Sequence, residues 1–118
     1  MGAIADAANS LKAALDEVAG LRVTTDPGEQ VAPPYAIVGP PALTWEAGCA
    51  GPTSARFLVY VVVDADDRAL ERLWDLVPAV SDAIDATTDA VVVRADPGSW
   101  NSGGSDLPAY TVEVDVAL

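Results

Sequence analysis

The densest group of potentially reactive side chains is the acidic stretch that contains Asp64, Asp66 and Asp67. Closely spaced carboxylates attract hard divalent cations, but this stretch lacks the further ligands and the sixth-position glycine of an EF-hand loop. It directly precedes an apolar helical pattern, where carboxylates accept hydrogen bonds from free N–H groups and oppose the helix dipole. We therefore interpret these side chains as a helix cap and predict no metal site.

A second carboxylate pair, Glu113 and Asp115, lies two positions apart in a strand pattern. Such side chains point the same way, about 6.5–7 Å apart, and the spacing superficially resembles the carboxylate pair of a glycosidase. Because we expect nothing apolar nearby to raise either pKa, we interpret the pair as part of a solvated sheet face.

Other catalytic chemistry has little support in the sequence. The chain contains no histidine, which removes the commonest general base, Ser-His triads and most zinc sites. The single Cys49 cannot form an internal disulfide, and it has no nearby base in the sequence to activate it. Gly48 and Gly51 are not followed by the Lys-Ser or Lys-Thr of a phosphate-binding loop. The sequence therefore predicts a protein that is not an enzyme and needs no cofactor.

The tryptophans are candidates for contact with a partner. Trp100 lies in a stretch rich in glycine and serine, where it either anchors a partner or folds back over a sheet edge. Trp45, in a short predicted edge strand, leaves the same two alternatives open. Trp74 falls on the apolar stripe of a predicted helix, so we expect it in the core.

Three isolated bases, Arg22, Arg56 and Arg94, are candidate interface residues. Each would pair with a carboxylate of a neighbouring subunit, or with a surface carboxylate at little gain in stability.

Length and composition predict one globular domain spanning residues 1–118. The chain is 51% hydrophobic and 20% charged, which is typical of a protein with its own core. Its net charge of −12 disfavours nucleic-acid binding through a broad basic surface. No apolar run approaches the roughly eighteen residues of a membrane span, so we predict no membrane partner.

Hydrophobic periodicity predicts two helices and six strands. The predicted helices cover residues 3–18 and a segment from the acidic stretch to about residue 86, with a kink or break near Val77 because Pro78 follows. The predicted strands cover residues 21–25, 35–39, 42–46, 56–64, 90–95 and 109–117. The predicted loops cover residues 26–34, 47–55 and 96–108.

Two strands define the expected architecture. The segment 56–64 is apolar on both faces, which favours a central strand, whereas 109–117 alternates strictly between apolar and polar residues. The resulting order, α-β-β-β-β-α-β-β, predicts an α+β fold. We expect a mainly antiparallel sheet of about six strands with two helices packed on one face.

This arrangement is similar to a known protein family. The likeness is carried by the first helix leading into residues 20–23, the Pro-framed stretch 33–39, the long strand 56–64 entering the acidic start of the second helix, and the closing strand 110–116. In these features the chain resembles the tail terminator, or tail-completion, proteins of long-tailed bacteriophages.

The resemblance implies a structural virion protein, assembled in the host cytoplasm, that forms a ring, typically a hexamer. The ring would cap the head-proximal end of the tail tube, stop polymerisation of the tube protein and offer a surface to the head-side connector protein. The genome would pass through the lumen without specific binding. Six copies at −12 each would carry −72, and we expect Glu113 and Asp115 to lie in the lumen or at the ring interface.

Within that implied ring, sheet edges would join adjacent subunits, and the three predicted loops would project to the tube and the connector. Two alternatives stay open: a head-completion or neck connector protein, and a small α+β binding module of the host. A deep apolar pocket holding carboxylates of raised pKa would favour an enzyme.

Overall fold

The structure, a computed structural model, describes residues 2–26, 32–48, 50–87 and 89–118. Within these residues the elements follow the predicted order, which confirms the α+β class. The helices are α1 (Ala3–Asp16) and α2 (Ala69–Thr87). The strands are β1 (Arg22–Thr24), β2 (Tyr35–Val38), β3 (Ala42–Thr44), β4 (Ser54–Val62), β5 (Val91–Ser102) and β6 (Ser105–Ala117).

The strands form one mixed sheet in the order β1-β2-β4-β6-β5. The β1–β2 pairing is parallel, and the other pairings among the described strands are antiparallel. β4 lies in the centre, as its two apolar faces predict. β2 and β3 pair with opposite ends of β4, while β6 runs along the whole of β4. The sheet therefore ends at β1 on one side and at the much longer β5 on the other.

Both helices pack on the same face of the sheet, as expected. Leu11 and Leu15 of α1 join Leu73 and Ile84 of α2 in one buried cluster with Phe57 of β4. The inward rows of β4 and β6 complete this core; they contain Ala55, Phe57, Val59, Val61, Val112 and Val114. Alternation along β4 and β6 therefore separates a helix-covered face from an open face.

Helix α2 differs from its prediction in two ways. It is continuous through Pro78, with no break near Val77. Pro78 is exposed, so its ring lies toward solvent instead of against the sheet. The placement of Trp74 in the core is wrong, because its side chain is 58% exposed and Leu70 of the same stripe is 54% exposed.

The predicted loop over residues 96–108 is also wrong. The pairing of β6 with β4 ends at Ala109. The pairing of β6 with β5 extends beyond that point, as far as Ser102 opposite Ser105. Residues 99–108, named here the hairpin arm, therefore form a two-stranded extension of the sheet. Gly103 and Gly104 make its turn with φ angles of 58° and 87°, a conformation that a side chain would strain.

Candidate functional site

The open face of the sheet gathers most of the residues that the sequence singles out. Arg56 faces it from β4, Arg94 from β5, and Glu113 and Asp115 from β6, because paired residues share a face. Asp96 of β5 joins them. These five residues, named here the charged row, lie on three adjacent strands.

The charged row is held by ion pairs. Arg56 donates two hydrogen bonds to Asp115, with Nε–Oδ1 at 2.7 Å and Nη2–Oδ2 at 3.0 Å. Arg94 lies 2.8 Å from the Asp96 carboxylate and 3.5 Å from that of Glu113. These contacts make a nearly neutral group in which two guanidiniums face three carboxylates.

The same contacts set the electrostatics of the row. The hydrogen bonds from Arg56 lower the pKa of Asp115, and those bonds in turn raise the pKa of Arg56. The hydrogen bond to Asp96 raises the pKa of Arg94, with a further contribution from Glu113. A lowered carboxyl pKa is the opposite of what a general acid at neutral pH needs.

The other end of the open face is apolar, and Trp100 covers it. Its ring lies 4.8 Å from the ring of Tyr60, at an interplanar angle of 43°. Trp100 packs with its cross-strand neighbour Leu107 on the buried side chains of Tyr35 and Ile37. The structure thus shows Trp100 folded back on its own sheet, while its role as a partner contact stays a prediction.

The remaining predicted residues lie outside these two groups. Trp45, just after β3, is 56% exposed. Arg22 is exposed on the edge strand β1 and makes no ion pair within the part of the chain that the structure describes. Cys49 and residues 27–31 of the predicted loop 26–34 lie outside the described residues.

The acidic stretch before α2 acts at the start of the helix. Asp66 Oδ1 accepts a hydrogen bond from the backbone N–H of Arg68 at 2.9 Å, and Oδ2 lies 2.7 Å from Arg72. These interactions lower the pKa of Asp66, the bond from the Arg68 backbone most of all. The described residues contain no group of three or more potential ligands able to hold a metal ion.

Sequence reasoning missed a row of carboxylates along the outer side of α2. The spacing of these exposed residues places them on one side of the helix, together with Asp89 just beyond its end. This acidic ridge contains Glu71, Asp75, Asp82, Asp85 and Asp89. The spacing of three, four and seven residues between these carboxylates is the signal in the sequence that indicates the ridge.

The open edge of β5 is the other feature of the described surface that stands out. Among the described strands β5 pairs only with β6, so one side of its backbone has no neighbour in the described sheet. Val91 and Val93 on this strand are 60% and 47% exposed. A bulge between Val92 and Arg94, and Pro97, which has no N–H, interrupt the regularity of the edge.

Comparison with known proteins gives no family for this chain: no protein-family model matches it, and neither does any curated protein. In the described part of the chain, neither helix is long and apolar enough to cross a membrane.

Proposed function

We propose that this chain is the subunit of a ring that caps the head-proximal end of a phage tail tube. In this role it is a structural virion protein without enzymatic activity, and its partners are further copies of itself, the tube protein and the head-side connector. The observation that carries the proposal is the pair of unequal open edges in one subunit, a long β5 on one side and short strands on the other.

Two different edges favour head-to-tail association. An open edge strand exposes unpaired N–H and C=O groups that pair readily with a strand of another chain. When β5 of one copy meets β1 or β3 of the next, the pair still has one free edge of each kind, so further copies can add at both ends. Such a heterologous contact forms a closed ring when the rotation between subunits closes.

Charge supports a passage for the genome. The net charge of −12 belongs to every subunit, so a ring of copies is strongly anionic whichever face lines its channel. Because the charged row is nearly neutral, the repulsion comes mainly from the other carboxylates of the subunit. Glu113 and Asp115 are better suited to hold the sheet face together than to repel DNA.

The charged row also supports a structural role over catalysis. A depression of about 590 Å³ lies beside Arg56 and Asp115, between the ends of β3, β4, β5 and β6. Asp89 and Asp115 both line this depression, and Asp115 has a lowered pKa and a bidentate partner, so it is ionised and engaged at neutral pH.

Tube growth tests this proposal directly. Tail tube protein from the same genome is allowed to polymerise with and without the chain, and tube lengths are measured by electron microscopy. The proposal predicts short tubes that bear a ring at one end. Tubes of unchanged length, with no chain bound at their ends, would contradict it.

A variant of the edge identifies the surface involved. Val91→Lys combined with Val93→Lys places charges on β5 without touching the core, and we expect it to abolish ring formation and capping. Asn9→Lys combined with Ala65→Lys is the matched control, since it adds the same two lysines at exposed positions outside β5 and outside α2. Equal loss of ring formation and capping in both variants would show that the β5 edge is not the contact surface.

A further inference from the structure

A second exposed surface lies on α2, away from the open face of the sheet. Leu70 and Trp74 are one helical turn apart, and both are more than half exposed. Trp74 contacts Tyr110 of β6, which in turn pairs with the exposed Pro97 of β5. These four residues form an apolar strip, named here the α2 patch, from the helix to the sheet edge.

The indole of Trp74 is held in place although it is exposed. Its Nε1–H donates a hydrogen bond to the hydroxyl oxygen of Tyr110 at 3.3 Å. A fixed aromatic side chain loses little conformational entropy when a partner covers it, and tryptophan and tyrosine are common anchors of interfaces. The α2 patch is therefore preorganised for contact.

The charges around the patch identify the partner. Asp75 borders Trp74 on the helix, as does Glu71, which lies 3.5 Å from Arg68, and the acidic ridge continues along α2 through Asp82 and Asp85. A second copy of this chain carries only six basic residues against eighteen acidic ones, so it complements this border poorly. A polypeptide with lysine or arginine beside apolar side chains complements both the patch and its border.

We infer that the α2 patch docks a basic amphipathic segment of another protein, with its apolar side chains on Leu70 and Trp74 and its cations beside the acidic ridge. The patch reaches the β5 edge at Pro97 alone among its four residues, and its anchors Leu70 and Trp74 lie on α2, so the inference does not depend on ring formation.

Titration with three synthetic peptides tests the inference. The first carries leucine and lysine in an amphipathic helical repeat, the second replaces lysine with glutamate, and the third replaces leucine with serine. Calorimetry on the intact chain should show binding of the Leu/Lys peptide alone. Equal binding of the Ser/Lys peptide would reduce the interaction to non-specific charge and overturn the inference.

Variants locate the binding surface. Trp74→Ala should weaken binding of the Leu/Lys peptide about ten-fold, whereas Trp45→Ala, which truncates an equally exposed tryptophan elsewhere, should leave it unchanged. Asp75→Lys combined with Asp82→Lys should also weaken binding of the Leu/Lys peptide. Both positions are exposed, so we expect the fold to be unchanged. Unchanged affinity in Trp74→Ala, or self-association of the chain that Trp74→Ala abolishes, would refute the proposed partner.

Discussion

Truncation of Trp100 to alanine tests how the hairpin arm is held to the sheet. The side chain packs against Tyr60 and covers the apolar end of the open face over Tyr35 and Ile37. The carbonyl oxygen of Pro108 accepts a hydrogen bond from the backbone N–H of Val63 at 3.1 Å, and beyond it the strands of the arm pair with each other alone among the described strands. Removing the indole therefore exposes the apolar side chains beneath it and also removes a contact that holds the arm to the sheet.

The size of the effect follows from the burial of the ring. Truncating a fully buried tryptophan costs about 3–5 kcal/mol. Trp100 is half-buried, and part of its contribution is a tilted aromatic pair of about 0.5–1.5 kcal/mol. We expect Trp100→Ala to lower the free energy of unfolding by about 2 kcal/mol. At about 4 °C per kcal/mol, the Tm falls by about 8 °C.

Urea denaturation of the purified chain, followed by circular dichroism, measures this loss. Trp45→Ala is the matched control, because it removes an exposed indole and should change stability by less than about 0.5 kcal/mol. Hydrogen exchange adds a local readout, in which the amides of the arm should lose more protection than those of β4. An equal free energy of unfolding for the Trp100→Ala and Trp45→Ala variants would refute the packing argument.

Two further changes test the charged row and the hairpin turn. Asp115→Asn removes the bidentate pair with Arg56 and should cost up to about 1 kcal/mol at pH 7. Because the folded pKa of Asp115 is lowered below 3.8, that stabilisation is present above 3.8 and is lost as pH falls through the folded pKa. Urea denaturation of both proteins over a series of falling pH values checks this; a difference in stability that does not shrink as pH falls below 3.8 would show that the ion pair is not its source. Gly104→Ala should cost about 1 kcal/mol in thermal melts, since φ is 87°, whereas Gly98→Ala, with open space around it, should be nearly neutral. Equal melting of the two glycine variants would contradict the turn geometry.

The sequence predicted the elements whose patterns are strongly periodic. β4 and β6 alternate between faces, and α1 carries an apolar stripe that ends before Gly20, where φ is 78°. These patterns are dictated by burial against one core, so local spacing suffices to recognise them.

The hairpin arm was missed because little of it is buried by the core. Its composition of glycine, serine and proline is typical of loops, and Trp100 opposite Leu107 is its one pair of large apolar residues. The adjacent Gly103 and Gly104 were nevertheless a signal for a two-residue hairpin turn.

Trp74 shows why a stripe on a helix does not by itself define a core. Leu73 and Ile84 are buried because the sheet lies beneath them, whereas Leu70 and Trp74 lie toward the side where β5 ends the sheet. The sequence cannot indicate where the sheet ends relative to the helix. The Arg56–Asp115 and Arg94–Glu113 pairs were unpredictable for a related reason, since they depend on the register between strands that are distant in sequence.

The solution mass of the chain, measured by light scattering over a range of protein and salt concentrations, tests the ring most directly. Salt screens the repulsion between acidic subunits, so the account predicts a particle of six copies, about 73 kDa, that becomes more populated as salt increases. A stable dimer of about 24 kDa at every salt concentration would contradict the ring and favour a small binding module.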